Sequence, residues 1–329
     1  MFQSKSKSSE HDVDNQTNQM YIDEYGRPVD YLRISLTQRC NLSCFFCHHE
    51  GEIDSETEMK YEGIERIILH STKHGIHHLK LTGGEPLLRK DIRKIVKMIS
   101  PLIEDLSMTT NGVYLEDMAF DLKTAGLSRV NISLHSLDNE TYRRITGTDN
   151  LERVKRGIKS AVEVGLNPVK LNMTILRGYN ESEIRNMMEF AAEMGCVLQL
   201  IELQQMHDSP DITDLHVDLN SIENKFAEIA IQRRYHQHNG RYQYLVPLDN
   251  GKEVAIEVVK SMHNPEFCRN CTRLRVTSDG KLKPCLLRND NLVEISDLKK
   301  VQPNSEPLDR AFSRAVKNRK PYWREEHHE

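Results

Sequence analysis

Three cysteines stand close together near the start of the chain, spaced C-x3-C-x2-C at Cys40, Cys44 and Cys47. Three thiolates on one short loop can hold three irons of a cubic 4Fe–4S cluster and leave the fourth iron without a protein ligand. Such an open iron can coordinate a substrate or cofactor, as catalytic metal sites with a free position do. Spacing alone leaves open a zinc site completed by His48 or His49, because thiolates suit both metals.

A second set of three cysteines lies near the other end of the chain, at Cys268, Cys271 and Cys285. It also offers three thiolates, and its alternative is a structural zinc ribbon completed by His263. The seventh cysteine, Cys196, stands apart beside an apolar segment, where a small buried residue is the expected role. In a long chain with no secretory signal, clustered cysteines indicate metal binding rather than disulfides.

Two arginines follow the second cysteine set at alternate positions, Arg273 and Arg275. On a β-strand both guanidinium groups face one side, and their paired donors suit a phosphate or the edge of a nucleobase. The whole chain carries 45 basic and 49 acidic residues, a formal net charge of −4. We therefore expect a local anion site and exclude a strongly basic nucleic-acid binder.

A glycine pair, Gly83-Gly84, precedes Glu85 and Pro86 one predicted strand after the first cysteine loop. Glycines let the backbone approach a ligand without a Cβ atom in the way. A glycine pair alone marks only a turn in most chains. Beside a loop with an open iron, it predicts a backbone platform for a polar ligand of that iron.

These motifs fall within a regular alternation of strands and helices. Strands are predicted at residues 32–36, 78–82, 105–109, 129–134, 169–176 and 197–203, and helices at 61–74, 90–100, 115–124, 151–164 and 181–193. Such an alternation implies a parallel sheet with right-handed crossovers. We predict an α/β fold, an incomplete (β/α)6 TIM-like barrel, although a doubly wound sheet has the same local pattern. Functional residues lie beyond the carboxyl ends of the strands in both.

Polar residues interrupt the apolar pattern of the later strands at Lys170, Asn172, Gln199 and Glu202. Each alone is typical of an edge position facing water. Their recurrence on consecutive strands predicts a lined cavity inside the barrel, where a buried charge needs a partner.

The pattern changes in the last third of the chain. The sequence there predicts a C-terminal α+β domain. Its predicted elements are a helix at about residues 219–233, strands at 241–246 and 253–259, an Asp-Gly hairpin turn and a helix at 308–318. We assign residues 23–246 to the barrel and 247–329 to this domain. Residues 1–22 are polar and predict a disordered leader rather than a signal peptide. No segment reaches the roughly 18 apolar residues of a membrane span, so a cytoplasmic location is expected.

Together the motifs carry a family resemblance. The first cysteine set, followed by Gly-Gly-Glu-Pro after the second strand, resembles the radical S-adenosylmethionine enzymes. The second set with Thr272-Arg273-Leu274-Arg275 narrows the resemblance to the molybdenum cofactor biosynthesis protein A family, the GTP 3′,8-cyclases, and to its archaeal members most closely. The similarity spans about residues 25–291.

The resemblance implies a partial barrel whose open side is covered by the C-terminal domain, and two 4Fe–4S clusters. It assigns one cluster to Cys40, Cys44 and Cys47, and the other to Cys268, Cys271 and Cys285. The first would bind S-adenosylmethionine and give a 5′-deoxyadenosyl radical; the second would bind the guanine of GTP. The implied S-adenosylmethionine contacts are Gly84 and Ser133. The implied GTP contacts are Arg33, Lys80, Thr109, Lys170, Arg273, Leu274 and Arg275.

The implied activity is a lyase reaction, the cyclisation of GTP to (8S)-3′,8-cyclo-7,8-dihydroguanosine 5′-triphosphate. It begins the synthesis of molybdopterin. The radical would abstract the ribose 3′ hydrogen, and the resulting carbon radical would attack guanine C8. Implied partners are a reductant protein, a downstream cyclic pyranopterin synthase and a second copy of the chain in a homodimer, with no membrane and no nucleic acid.

The sequence departs from the family pattern at three places. Lys80 stands where many bacterial members have arginine, Gln199 stands where another arginine is usual, and the chain ends at Glu329 without a Gly-Gly tail. Two other hypotheses therefore stay open. One is a radical enzyme that modifies a peptide or small molecule and uses its second cluster for electron transfer. The other is a non-catalytic zinc-binding protein.

Overall fold

The computed structural model describes residues 20–52, 57–206, 211–236, 240–296, 298 and 300–323. Residues 1–19, which make up most of the predicted leader, lie outside this part, as do residues 324–329 at the end of the chain. The described residues contain no helix with the length and apolar character needed to cross a membrane.

Six parallel strands alternate with helices through the first two thirds of the chain. The strands are β1 (Tyr31–Ser35), β2 (His78–Thr82), β3 (Asp105–Thr110), β4 (Arg129–Ser133), β5 (Val169–Ile175) and β6 (Val197–Glu202). The helices are α1 (Tyr61–Lys73), α2 (Ile92–Ile99), α3 (Leu115–Thr124), α4 (Asn139–Thr146), α5 (Leu151–Glu163) and α6 (Ile184–Glu193). Each strand pairs in parallel with the next, which confirms the predicted α/β architecture.

Helix α4 is the element of this half that the sequence pattern does not indicate. It is short, but both of its ends are capped. The side chain of Asp138 accepts a hydrogen bond from the Thr141 amide at 2.8 Å, and Gly147 ends the helix in the left-handed conformation with φ of 76°. The helix therefore depends on its caps as well as on its apolar face.

The C-terminal part has mixed structure. Its elements are α7 (Asn220–Ile229), β7 (Gln232–His236), β8 (Arg241–Pro247), β9 (Glu253–Val259), α8 (Pro265–Arg269), β10 (Arg273–Val276), β11 (Leu282–Lys283) and α9 (Glu306–Lys317). The predicted helix at residues 219–233 is too long, because its last residues belong to β7. That strand pairs antiparallel with β8, and this tertiary pairing overrides the helical pattern.

Strands from the C-terminal part extend both edges of the barrel sheet. Strand β9 lies parallel to β6, and β10 lies parallel to β1. The result is one sheet of 11 strands in the order β11-β10-β1-β2-β3-β4-β5-β6-β9-β8-β7. The proposed division at residue 246 falls within β8 and stays a prediction.

Strand residues alternate between the helical layer and the concave face of the sheet. On β1, Leu32 and Ile34 are buried against the helices, whereas Arg33 between them is only partly buried. On β2, Leu79 and Leu81 are fully buried in the same core, and Lys80 points the other way, into the cavity described below. The apolar layer thus fixes which side chains line the concave face.

Candidate active site

The first cysteine loop follows β1 and lines a cavity of about 590 Å³ on the concave face. Backbone amides point at its sulfur atoms: Leu42 donates to Cys40 Sγ and His49 donates to Cys47 Sγ, each at 3.5 Å. Burial raises the pKa of the Cys44 thiol to about 12, and the neighbouring Cys47 and Cys40 add to this effect. A metal bound at this loop would therefore have to deprotonate the thiols.

The spacing of the sulfur atoms distinguishes a cluster from a single metal ion. Three thiolates on one zinc ion lie about 3.8 Å apart, given zinc–sulfur bonds of about 2.3 Å. Among the described residues, neither cysteine set places three ligand atoms within 4.8 Å of one another, with or without a histidine. As the side chains stand, neither cysteine set is a preformed site for a single zinc ion.

The glycine pair packs directly against the cysteine loop. A Cβ atom on Gly84 would lie 2.4 Å from the carbonyl oxygen of Arg39 and 2.6 Å from that of Gln38. The amides of Gly84 and Glu85 donate to the carbonyls of Thr37 and Arg39 at 2.7 and 2.8 Å. No side chain fits at Gly84, so its backbone forms part of the cavity wall beside the cysteines.

The carboxylate after the glycines fixes this loop from behind. Glu85 is fully buried and accepts hydrogen bonds from the amides of Leu87 and Asn111, at 3.0 and 2.7 Å, and from the Thr110 hydroxyl at 2.7 Å. Burial raises the pKa of Glu85 to about 7, and these donors oppose the rise. Glu85 thereby joins the glycine loop to the end of β3.

Basic side chains dominate the cavity. Among the described residues, seven cationic side chains line it: Arg33, Lys80, Arg129, Lys170, Arg241, Arg273 and Arg275. Three carboxylates of the same part of the chain share the lining: Glu50, Asp105 and Glu202. In a protein with a net charge of −4, this is a concentrated anion site.

Strand register brings together three of these cations from distant parts of the sequence. Arg275 on β10 lies directly beside Arg33 on β1, which lies beside Lys80 on β2. Burial lowers the pKa of Lys80 well below its usual value, and the nearby Arg33 and Arg129 charges add to the shift. Within the described part of the chain Lys80 has no ion-pair partner; its Nζ donates to Asn131 Oδ1 at 2.8 Å.

Glu50 links the two arginines to the cysteine loop. Its carboxylate lies 2.8 Å from Arg275 Nη1 and 3.8 Å from Arg33 Nη1. Burial alone would raise the pKa of Glu50, but Arg33 and then Arg275 lower it below its usual value. The sequence pattern does not indicate Glu50, because its partners become neighbours only through the pairing of β1 with β10.

A hydrogen-bonded network forms the floor of the cavity. Asn131 donates to Gln199 Oε1 at 2.9 Å, and Gln199 donates to Glu257 Oε2 at 2.6 Å. Lys170 Nζ lies 2.5 Å from Glu257 Oε1. Burial would raise the pKa of Glu257, but Lys170 and then Arg241 lower it to about 2, so the carboxylate is charged.

Arg241 is a cavity residue that sequence reasoning misses. It comes from β8 and pairs with Glu257 at 3.4 Å. Burial lowers the pKa of Arg241 to about 10. Its place beside Gln199 and Glu257 depends on the β8–β9 hairpin and on the pairing of β9 with β6, which no local pattern reveals.

The second cysteine set lines a smaller adjoining cavity of about 80 Å³. The two cavities share five wall residues: Gln204, Phe267, Arg273, Arg275 and Leu286. Burial would raise the pKa of Cys271, but the charges of Arg273 and Arg319 lower it below its usual value, which favours the thiolate. His263 packs against the Trp323 ring, with centroids 4.1 Å apart and the ring planes tilted by 38°.

The structure places the predicted site residues in these two cavities with one exception. The small cavity is lined by Cys268, Cys271 and Cys285. The large cavity is lined by the first three cysteines and by Gly84, Ser133, Arg33, Lys80, Thr109, Lys170, Arg273 and Arg275. Leu274 lines neither, because its side chain faces the apolar core and is fully buried. The predicted roles of all these residues stay predictions. Cys196 is buried, as expected.

Comparison with known proteins agrees with this architecture. A family model described as the radical SAM superfamily matches residues 34–191, and one described as Molybdenum Cofactor Synthesis C matches residues 196–325. A probable GTP 3′,8-cyclase of Pyrococcus abyssi is 49% identical over 308 residues, which cover 92% of this chain and 100% of that protein. The chain belongs to the GTP 3′,8-cyclase family.

Other relatives place the chain among the archaeal members of the GTP 3′,8-cyclase family. Probable GTP 3′,8-cyclases of Methanothermobacter marburgensis and Thermoplasma volcanium are 47% and 44% identical, each over 92% of this chain and over 98% and 92% of their own lengths. This confirms the family resemblance. It also confirms, at the level of the family, the expected cofactors: 4Fe–4S clusters, of which the second is C-terminal, and S-adenosylmethionine.

Solved structures share the fold of this GTP 3′,8-cyclase family member at low sequence identity. Streptococcus suis SuiB bound to S-adenosylmethionine matches with a TM-score of 0.64 and 17% identity, over 89% of this chain and 66% of that one. The anSMEcpe protein with bound AdoMet matches with a TM-score of 0.60 and 15% identity, over 85% and 82%. The likeness supports the partial barrel.

Proposed function

We propose that this protein converts GTP into (8S)-3′,8-cyclo-7,8-dihydroguanosine 5′-triphosphate, the first step of molybdenum cofactor biosynthesis. One observation carries the proposal: both cysteine sets open onto adjoining cavities whose common wall includes Arg273 and Arg275. A small anionic substrate bound at that wall would face the first cysteine set on one side and the second on the other. This fits a family whose members are named as probable GTP 3′,8-cyclases.

The charge of the cavity supports a polyphosphate substrate. Burial and the repulsion between Lys80 and the neighbouring cations both disfavour the positive charge of Lys80. A bound triphosphate would supply the negative charge that balances these cations. Within the described residues, Nε of Arg33 is buried without a hydrogen-bond partner and is available to a phosphate oxygen. We assign GTP contacts to Arg33, Lys80, Thr109, Lys170, Arg273 and Arg275, with Arg273 and Arg275 closest to the guanine. The side chain of Leu274 faces the core, so a contact of this residue with GTP would involve its backbone.

The cofactor side of the cavity is proposed to hold S-adenosylmethionine. Cys40, Cys44 and Cys47 would hold a 4Fe–4S cluster that supplies the electron for cleavage of S-adenosylmethionine, which yields the radical that starts the reaction. The backbone at Gly84 and the Ser133 hydroxyl would orient this cofactor, because both line the cavity on the cysteine side. The protein's part is to fix the two ligands relative to each other and to exclude water.

Product analysis tests the proposal. Anaerobically reconstituted protein, given GTP, S-adenosylmethionine and dithionite, should form the cyclic nucleotide and equal amounts of 5′-deoxyadenosine. Arg273→Ala and Arg275→Ala should each weaken GTP binding. Arg288→Ala is the matched control, because Arg288 pairs with Asp290 outside both cavities. Cleavage of S-adenosylmethionine without consumption of GTP would contradict the cyclase function and point to another radical reaction.

The cellular partners follow from the same proposal. A reductant protein must deliver the electron, and a downstream cyclic pyranopterin synthase must consume the product. We also infer a cytoplasmic location, with GTP and S-adenosylmethionine as the small-molecule ligands and no nucleic-acid partner. Sedimentation of the reconstituted protein with and without GTP tests the inferred homodimer, for which a monomer under both conditions is the contrary result.

A further inference from the structure

A cluster of metal-ligating side chains lies outside the active site, where α1 meets α9. His70 and His74 stand four residues apart on α1, so both rings project from the same side of the helix. Asp309, in the first turn of α9, faces them: its Oδ1 lies 3.8 Å from His70 Nε2 and 3.4 Å from His74 Nε2. These are the only three described residues whose metal-ligating atoms all lie within 4.8 Å of one another.

The distances suit a single tetrahedral ion. Ligands about 2.0–2.1 Å from a zinc ion lie about 3.4 Å apart along the edges of the tetrahedron. The two distances to Asp309 Oδ1 are close to that value, and the ligand atoms of the two histidines lie within 4.8 Å of each other. We propose that His70, His74 and Asp309 bind one Zn²⁺ ion that joins α1 to α9.

The surroundings prepare the histidines for a metal. An imidazole ligand must be neutral, and the buried surroundings of His70 disfavour its charged form. The His70 ring is fully buried and lies 4.6 Å, centroid to centroid, from Phe312. Asp309 is about half exposed, with a relative side-chain accessibility of 48%, so an ion can enter from solvent.

Tyr21 borders the site but is a poor fourth ligand. Its hydroxyl lies 3.0 Å from His70 Nε2, and its ring stacks on His74 with centroids 4.4 Å apart. Zinc sites in proteins are built from cysteine, histidine and carboxylate ligands, and a phenol is not among them. A water molecule would therefore fill the fourth position, and Tyr21 would hydrogen-bond to Ser313 instead of to His70.

This site shares no residue with either cysteine set or with the cavities that they line. The carboxyl end of α1 leads into the amino end of β2, whereas the first cysteine loop follows the carboxyl end of β1. In a parallel sheet the amino ends of the strands lie on one side and the carboxyl ends lie on the opposite side. The ligands are also of a different type, with nitrogen and oxygen instead of sulfur. The inference is therefore independent of the proposed cyclase function, and the ion's role is structural: it ties the C-terminal helix to the barrel.

Zinc analysis of the holoenzyme tests the inference. Anaerobic protein with both clusters loaded is treated with a chelator, incubated with zinc sulfate, passed through a desalting column and analysed for zinc and iron. We expect one zinc per chain in the wild type and its loss in His74→Gln and Asp309→Ala, with iron unchanged. His77→Gln, which alters a neighbouring histidine outside the triad, should keep the zinc.

Two further measurements make the result decisive. X-ray absorption at the zinc edge should show only nitrogen or oxygen ligands at about 2.0–2.1 Å, and zinc should raise the unfolding temperature of the wild type but not of Asp309→Ala. A sulfur shell at about 2.3 Å would mean that zinc occupies the cysteines, which overturns the proposal. Zinc binding that is unchanged in Asp309→Ala, or absent in the wild type, overturns it equally.

Discussion

The side-chain amide of Gln199 donates a 2.6 Å hydrogen bond to Glu257, across the junction between β6 and β9. Glu257 thus belongs to the C-terminal part of the chain but accepts hydrogen bonds from side chains of the barrel strands. Its carboxylate also contacts Lys170 and Arg241, at 2.5 and 3.4 Å. The charge balance of the proposed GTP site therefore depends on a residue that contacts the cavity only through its partners.

Replacement of Glu257 by glutamine should destabilise the protein. It removes the counter-charge of two buried cations, and breaking a buried ion pair costs about 3–5 kcal/mol of unfolding free energy. Urea denaturation of the anaerobic holoenzyme measures this cost. Glu253→Gln is the matched control, because Glu253 lies on the same strand but is exposed. Equal stability of the two variants would show that Glu257 is not the counter-ion of this network.

Arg241→Met should weaken GTP binding more than it slows turnover. The guanidinium lines the cavity, so we expect it to balance the negative charge of the bound substrate. A charged hydrogen bond contributes about 1.5–3 kcal/mol, which corresponds to a rise in KM of roughly 10- to 100-fold. Steady-state kinetics with varied GTP measures it, and Arg234→Met on exposed β7 should behave as wild type. A fall in kcat with unchanged KM would contradict the substrate role.

Gly84→Ala should disturb the first cysteine loop. The added methyl group would meet the backbone carbonyls of Arg39 and Gln38, which cannot move without shifting Cys40. We expect at least about tenfold weaker binding of S-adenosylmethionine, since a small displacement of a positioning loop has large effects. Anaerobic equilibrium dialysis measures the binding. Gly63→Ala is the control, because its methyl group meets side chains and not backbone: Met59 at 3.1 Å and Leu298 at 3.4 Å. A similar loss in both variants would argue against a local cause.

His135 should make stability depend on pH. It is buried, its Nδ1 accepts a hydrogen bond from the Thr174 amide at 3.2 Å, and burial lowers its pKa to about 4. Because the folded-state pKa lies below the unfolded value of about 6.5, this contribution is complete above pH 6.5 and is lost as pH falls toward 4. The full effect is about 3 kcal/mol. His135→Asn should flatten the profile of unfolding free energy between pH 7 and 5; an unchanged profile would assign the dependence to other groups.

Cys285→Ala should halve the iron content of the reconstituted protein. The variant removes one thiolate of the second set and leaves the first set intact, so about four of about eight irons should remain. Iron and acid-labile sulfide analysis provides the measurement. Cys196→Ala is the control, because Cys196 is buried away from both cavities. Full iron retention in Cys285→Ala would remove this residue from the proposed ligand set.

Local patterns predict much of the barrel but little of how the cavity closes. The six barrel strands lie within one residue of their predicted ends, because period-two burial and helix-ending glycines are local features. The same-side placement of Arg273 and Arg275 also follows from strand geometry alone. By contrast, the contacts of Glu50 and Arg241 depend on β1 pairing with β10 and on β6 pairing with β9. Such pairings join residues far apart in sequence, and no periodicity encodes them.

The pairing of β9 and β10 with the two edges of the barrel has a consequence for synthesis on the ribosome. When residues 1–250 have been made, the first cysteine set and the whole barrel are present, but β1 and β6 still expose unpaired edges. Exposed edges invite pairing with other chains. The barrel thus acquires its protective flanks, its Glu257 counter-charge and its second cysteine set in the same final stage of translation. The proposed substrate site is therefore completed only after the loop that carries the first cysteine set has been made.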